Sequence, residues 1–446
     1  MPHQEALTVV APVRPEGTGH PGGPGHPGGP GRLDRLRAQV DVVAKDPAGN
    51  DTLPFGRLSA VHFARLMVVD GAPAGAPGVH YLILTIDCDA PGTGTLRELV
   101  DQAGAGLDAL FGHCDGYPAD PTLDGPDRGQ PTSSDRLEYL TAHLQASNVF
   151  YLHAVGRGLA QLRGEARVRA AIEQFLDRDG DRLAELTPSE VRDEVRRFVA
   201  ADAGLSWALK APKKPVIVFR VRELLHKIAV PLVLVLLLPV LVPAIAVWFL
   251  WMRYHELTDH IPDTPTPADR MRSLGDAEDF VVMNAFTSLA PIKSGLFWGL
   301  TVRLSLFVGN YTARHVFTRG SLSGLTTVHF ARFMRLGPSR ALLFTSYYDG
   351  SLESYNNDFV DQVAWVLNTV FGQQDGYPRT RWLFGAGARD ERGFKQFIRG
   401  HQIPNEAWYS AYPDTAAVTL DQNARLRAGL RGTMTDEEAQ AWLDLR

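Results

Sequence analysis

The stretch Val61-His62-Phe63-Ala64-Arg65-Leu66-Met67 returns later in the chain as Val328-His329-Phe330-Ala331-Arg332-Phe333-Met334. Outward from it, Val100-Asp101-Gln102 returns as Val360-Asp361-Gln362, and Asp115-Gly116-Tyr117-Pro118 as Asp375-Gly376-Tyr377-Pro378. The spacing between the copies is constant from Asp89 to Pro118. Later, His143 matches His401, Tyr151 matches Tyr409, and Arg169-Ala170 matches Arg427-Ala428. Such self-similarity exposes a folding unit.

Within a copy, residues 61–69 and 81–86 are rich in β-branched and aromatic side chains and are separated by turn-forming sequence, which predicts a hairpin. Leu96, Leu99, Val100, Ala103, Leu107, Leu110 and Phe111 then fall on one helical face, as do Phe359, Val363, Leu367, Val370 and Phe371. A second helix ends near His143 or His401. A strand follows at 149–155 or 407–412, and a basic helix around Arg169 or Arg427 closes the copy. This predicts an α+β fold of two tandem two-layer units, spanning 55–180 and 321–432. Capping boxes at Thr187-Pro188-Ser189-Glu190 and Thr435–Glu438 predict further helices, in a 181–227 extension and at 433–446.

Between the copies lies IAVPLVLVLLLPVLVPAIAVWFLWM, residues 228–252, without a charge. It exceeds the roughly 20 residues needed to cross a bilayer core. Lys210, Lys213, Lys214, Arg220, Arg222 and Lys227 precede it, whereas Arg253 is soon followed by Glu256, Asp259 and Asp263. That bias predicts a cell-membrane protein whose N-terminal half is cytoplasmic. Pro231, Pro239 and Pro243 leave open a straight span or a bent, re-entrant pair. Residues 294–317 carry Phe297, Leu300, Leu304, Phe307 and Tyr311 at helical spacing, with Arg303 among them, which predicts an amphipathic helix at the membrane interface. Residues 253–293 read as a linker and residues 1–35 as a disordered tail built on GHPGGPGHPGGPG, with His20 and His26 solvated.

The composition excludes some classes. With 45 Lys and Arg against 50 Asp and Glu, the net charge of −5 gives no global field for nucleic acid. Cys88 and Cys114 are too few for a disulfide scaffold and lack zinc-site spacing. No GxxxxGK loop, GxSxG elbow or zincin helix is present.

The run from Gly320 to Asp361, with its VHFAR strand, SYYDGSLESY turn and NDFVDQ helix, resembles an uncharacterised family of bacterial membrane-associated proteins, as do GARDERGFKQFIRGHQ and AWYSAYP. At the fold level, the tandem units resemble ferredoxin-like dimeric α+β barrels, which include dye-decolorising haem peroxidases and chlorite-dismutase-like proteins. The peroxidase motif would fall at Ser346-Tyr347-Tyr348-Asp349-Gly350, with Ser in place of the first Gly, while the first copy reads Ile86-Asp87-Cys88-Asp89-Ala90. The resemblance implies Asp349, His329 and Arg332 as candidate catalytic residues and His401 as the proximal haem ligand. From the residues alone, the His62/Arg65 and His329/Arg332 pairs sit three apart on a strand, which turns them to opposite faces. Asp349 reads as an N-cap or as an acid/base group. The expectation is a membrane-anchored module whose two repeats pack as an intramolecular pseudo-dimer and that binds an apolar ligand or a protein partner at the lipid bilayer. The alternative is a haem peroxidase-like oxidoreductase acting on an apolar substrate.

Overall fold

The computed structural model describes residues 4–15, 31–120, 129–212, 217–261, 266–276, 282–318, 320–336, 341–404 and 407–446. In chain order the elements are β1 (Gln4–Pro12), α1 (Arg32–Lys45), β2 (Val61–Asp70), β3 (His80–Asp89), α2 (Gly92–Phe111), α3 (Ser133–Ala142), β4 (Val149–Leu152) and α4 (Leu159–Arg178). Next come α5 (Gly180–Leu183), α6 (Pro188–Ala201), α7 (Ile217–Leu236), α8 (Leu238–Thr258), α9 (Ala268–Asp276), β5 (Met283–Pro291), α10 (Leu296–His315), β6 (Val328–Leu336) and β7 (Ala341–Asp349). The chain ends with α11 (Leu352–Phe371), β8 (Thr380–Arg381), β9 (Gly385–Ala386), α12 (Glu391–His401), β10 (Ala407–Ser410), α13 (Ala417–Gly429) and α14 (Asp436–Leu443).

Two antiparallel four-stranded sheets dominate, ordered β1-β3-β2-β10 and β4-β6-β7-β5. Each borrows its fourth strand from the other half of the chain. Tyr409 of β10 lies opposite Ala64 of β2, and Tyr151 of β4 lies opposite Ala331 of β6. The outer faces are covered by helices: Leu36, Val40 and Val43 of α1 join Leu99, Leu107 and Phe111 of α2 on the first sheet. On the second, Trp298, Val302 and Leu306 of α10 join Phe359, Val363 and Leu367 of α11. The inner faces pack on each other through Met67, Val69, Ile83, Leu289, Met334 and Leu343. Alternation along the strands supplies both layers: Ala64, Leu66 and Val68 face helices, while Phe63, Arg65 and Met67 face the other sheet.

Several boundaries read from the sequence need correction. Gln4–Pro12, placed in the tail, is the edge strand β1 and pairs with β3 from Gln4/Asp89 to Pro12/Tyr81. Its Leu-Thr-Val-Val run has the β-branched content of a strand; residues 16–30, with His20 and His26, lie outside the described residues. Residues 283–291, placed in the linker, are β5 and pair with β7. The units therefore begin at β1 and β5, earlier than 55 and 321. The interfacial helix is an integral layer of the second unit, because its sheet-facing side chains bury a full apolar face.

The apolar run between the halves forms α7 and α8, broken at Leu237. Leu238–Thr258 is long and apolar enough to cross a membrane by length and composition. Residues 231–240 are all exposed. Both far ends of the pair dock on α10. Tyr311 Oη donates to Lys227 O at 2.9 Å and Arg314 pairs with Glu223; Trp248 Nε1 donates to Thr301 Oγ1 at 3.0 Å and Trp298 Nε1 to Asp259 Oδ2 at 2.8 Å. The chain from Lys227 to Trp248 measures roughly 31 Å along a helix, whereas Tyr311 and Thr301 are roughly 15 Å apart on α10. The pair must bow outward, by roughly 14 Å if its two arms are straight.

Candidate functional site

Asp349, His329 and Arg332 lie between the two sheets. A β-bulge at each His-Phe pair, where the register shifts between Val61 and Phe63 and between Val328 and Phe330, overturns the expectation that His and Arg face opposite ways. The extra residue turns His62 inward beside Phe63 and Arg65, and His329 inward beside Phe330 and Arg332. All four polar side chains are buried.

The bulged histidines make matching contacts. His62 Nε2 is 3.0 Å from Asp89 Oδ1, and His329 Nε2 is 2.7 Å from Asp349 Oδ1. The second oxygen of each aspartate accepts a backbone N–H at a helix start: Leu159 of α4 on Asp89 at 2.9 Å, and Ala417 of α13 on Asp349 at 2.7 Å. Asp349 thus caps a distant helix, while Ser351 is the N-cap of the helix that follows it. With Nε2–H donating to the carboxylate, His329 leaves a buried Nδ1 without a partner.

Each arginine crosses to the opposite unit. Arg332 donates to Leu7 O at 2.9 Å and Thr8 Oγ1 at 2.7 Å and forms an ion pair with Asp87. Arg65 donates to Phe286 O at 2.8 Å and Ser346 O at 2.9 Å and lies 4.4 Å over the Tyr347 ring. Asp87 and Tyr347 occupy matching positions in the repeat, so one arginine meets a carboxylate and the other an aromatic face. Burial pushes the Asp87 carboxyl up, against the pull of Arg332 and Arg65. This layer joins the halves, and the hydrogen bonds just named are buried except that from Arg332 to Leu7 O, which is partly buried.

Burial also holds the His329 imidazole below its ordinary value, although Asp349 pulls it up. A lowered folded value means that the unfolded chain binds more protons below about 6.5, so stability falls as pH drops through that window. His113, held to about 4 by burial, adds to the same trend. Denaturation midpoints measured between pH 7.5 and 5 should therefore decrease with acidity, and His329→Asn should flatten the slope relative to the unaltered chain.

His401 sits elsewhere. Its Nδ1 is 2.9 Å from Phe397 O, and it lines a cleft of about 630 Å³ with Asp375, Arg379, Asp390 and Arg392. Burial lowers the imidazole and raises Asp375. Gln402 bridges Ser288 of β5, while Asp349 pairs with Met283 at the other end of that strand, roughly 17 Å away. Asp349, His329 and Arg332 do not line the His401 cleft. The residues do not fit one haem held between His401 and Asp349, and no oxidoreductase step follows from them.

A third space was not anticipated. Behind α10, the second unit holds a small apolar cavity of about 80 Å³. It is lined by Val149 and Tyr151 of β4, Phe286, Ala331, Phe333 and Phe344 of the sheet, Gly309, Thr312 and Ala313 of α10, Leu322, and Asn356, Phe359 and Phe371 of α11. The sequence signal was the pair of small residues Gly309 and Ala313, four apart in an otherwise bulky helix, visible once α10 is known to cover a sheet.

Comparison with protein-family models, with curated proteins and with solved structures finds no match for this chain.

Proposed function

We propose that this chain is a duplicated, ferredoxin-like α+β module attached to the cytoplasmic face of a bacterial cell membrane, and that its second unit takes an apolar ligand from the bilayer. The small apolar cavity behind α10, together with the exposed apolar surface outside it, carries this reading. Its wall is the helix whose outer side exposes Leu296, Leu300, Leu304, Phe307 and Val308, and whose two ends hold the exposed arch of α7 and α8. An exposed apolar surface of this extent, broken on α10 by Arg303, favours a lipid environment. The β8–β9 turn extends the same side, with Trp382 and Phe384 exposed, Phe249 against Phe384, and Arg253 over the Trp382 ring.

Strand exchange bears on how the arch meets the bilayer. A single crossing would separate β4 from β6 and β10 from β2, and it would cost both sheets a strand. A re-entrant arch avoids that, and its roughly 14 Å reach matches one leaflet of a core about 30 Å thick. Single cysteines at the exposed positions Ser133 and Thr433 test this in cells, because the native Cys88 and Cys114 are buried. Both should label only after permeabilisation. Labelling of Thr433→Cys from outside, with Ser133→Cys protected, would mean that the chain crosses once and would sink the proposal.

A further inference from the structure

The two copies of the Asp-Gly-Tyr-Pro turn, and of the helix after it, differ in charge. In the second unit that turn and one face of α12 wall the cleft of about 630 Å³ that holds His401. Four of its lining residues are Arg379, Arg392, Gly393 and Gln396, where the first unit has Ala119, Ser134, Asp135 and Glu138. The second unit thus has two more cations and two fewer carboxylates at these positions. Arg392 is exposed and makes no hydrogen bond or ion pair among the described residues. Arg379, also exposed, reaches Asp259 O at 3.4 Å and Leu257 O at 3.5 Å. Two carboxylates share the cleft. Asp390 stands where the first unit has Thr132 and, like it, is an N-cap, accepting from Gly393 N at 3.1 Å. Asp375 is common to both units as Asp115, and burial raises its carboxyl, which lessens its repulsion of an anion.

We propose that this cleft binds a phosphate group, with Arg379 and Arg392 as its paired cations. A guanidinium fork matches phosphate oxygens and is weakly hydrated, so exposed arginines with free donors suit that role. The place of the cleft narrows the source. Ile261 on its rim follows α8, which ends at Thr258, roughly 10 Å along the helix from Trp251. Trp298 of α10 fixes Asp259 there. The cleft therefore sits at the polar end of the apolar run, near the level that lipid headgroups reach if the arch enters the bilayer. A phospholipid headgroup and a soluble phosphate ester share the required chemistry. Only the headgroup source rests on the proposed attachment to the membrane; the phosphate site itself does not.

The test titrates the full chain in detergent micelles by calorimetry, once with glycerol 3-phosphate and once with dioctanoyl phosphatidic acid carried in the same micelles. Arg379→Ala and Arg392→Ser, which copy the first unit at exposed positions, should each weaken binding about tenfold or more, the size of a charge-assisted hydrogen bond. Gln396→Glu, which copies Glu138, should weaken it as well, and Arg389→Ala, an exposed cation outside the lining, should leave it unaltered. Phosphatidic acid binding far more tightly than glycerol 3-phosphate would assign a lipid headgroup as the occupant; equal affinities would assign a soluble phosphate ester. No binding of either probe by the unaltered chain, or equal affinity in Arg379→Ala and Arg392→Ser, would overturn the inference. A loss in Arg389→Ala as large as in Arg392→Ser would reduce the effect to general surface charge and overturn it too. None of these results bears on how the arch meets the bilayer, which the cysteine labelling tests separately.

Discussion

Expressed separately, residues 1–212 and 213–446 should each fail to fold, and co-expressed they should form a one-to-one complex with the secondary structure of the intact chain. Each half lacks the fourth strand of its own sheet, because β10 completes the first and β4 the second. Each would also expose an inner face built from the cluster that includes Val10, Met67, Val69, Ile83, Leu289, Met334, Leu336 and Leu343. At about 1.5–3 kcal/mol for each large apolar side chain buried, that interface contributes on the order of 15 kcal/mol, comparable with the whole stability of a domain. Circular dichroism and size-exclusion chromatography of the fragments in matched detergent decide the matter. A half that is monomeric and cooperatively folded by itself would show that exchange is dispensable.

Arg332→Ala should cost about 3–5 kcal/mol, because it leaves the Asp87 carboxylate buried without its ion-pair partner. Arg332 and Asp87 side chains are each only 2% exposed, so solvent cannot take over the pairing. The double replacement Asp87→Leu/Arg332→Met removes both charges and should recover most of the loss. Arg65→Ala should be milder, since its partners are backbone carbonyls, Thr287 and the Tyr347 ring rather than a carboxylate. Thermal unfolding of the three variants gives the comparison. Equal losses for the two single arginine variants would remove the distinction drawn between Asp87 and Tyr347.

The strands around VHFAR, the helices after them and the apolar run were legible because each depends on local pattern. β1 and β5 were not, since Gln4–Pro12 adjoins a Gly/Pro tract and Met283–Pro291 follows a charged stretch, so neighbours masked their β content. Exchange of β4 and β10 leaves no local trace, because the same residues make the same strand whichever sheet receives it. The inward turn of His62 and His329 was misjudged because one extra residue in the ladder inverts a two-residue alternation. Asp349 was read as a local cap because its partners, His329 and Ala417, come from other elements. The small cavity depended on α10 being a layer of the sheet domain.

The exchanged strands also set a timetable for synthesis. Leu66 waits for Ala407 before its sheet is complete, and at about 5–20 residues per second the ribosome needs roughly 20–70 s to deliver it. For that interval β2 is an open edge, the kind of template on which other chains can add. The arch of α7 and α8 emerges midway through the wait. Its arrival at the lipid surface would tether the unfinished first half there, so that the nascent chain is held apart from its neighbours until its own last strand closes the edge.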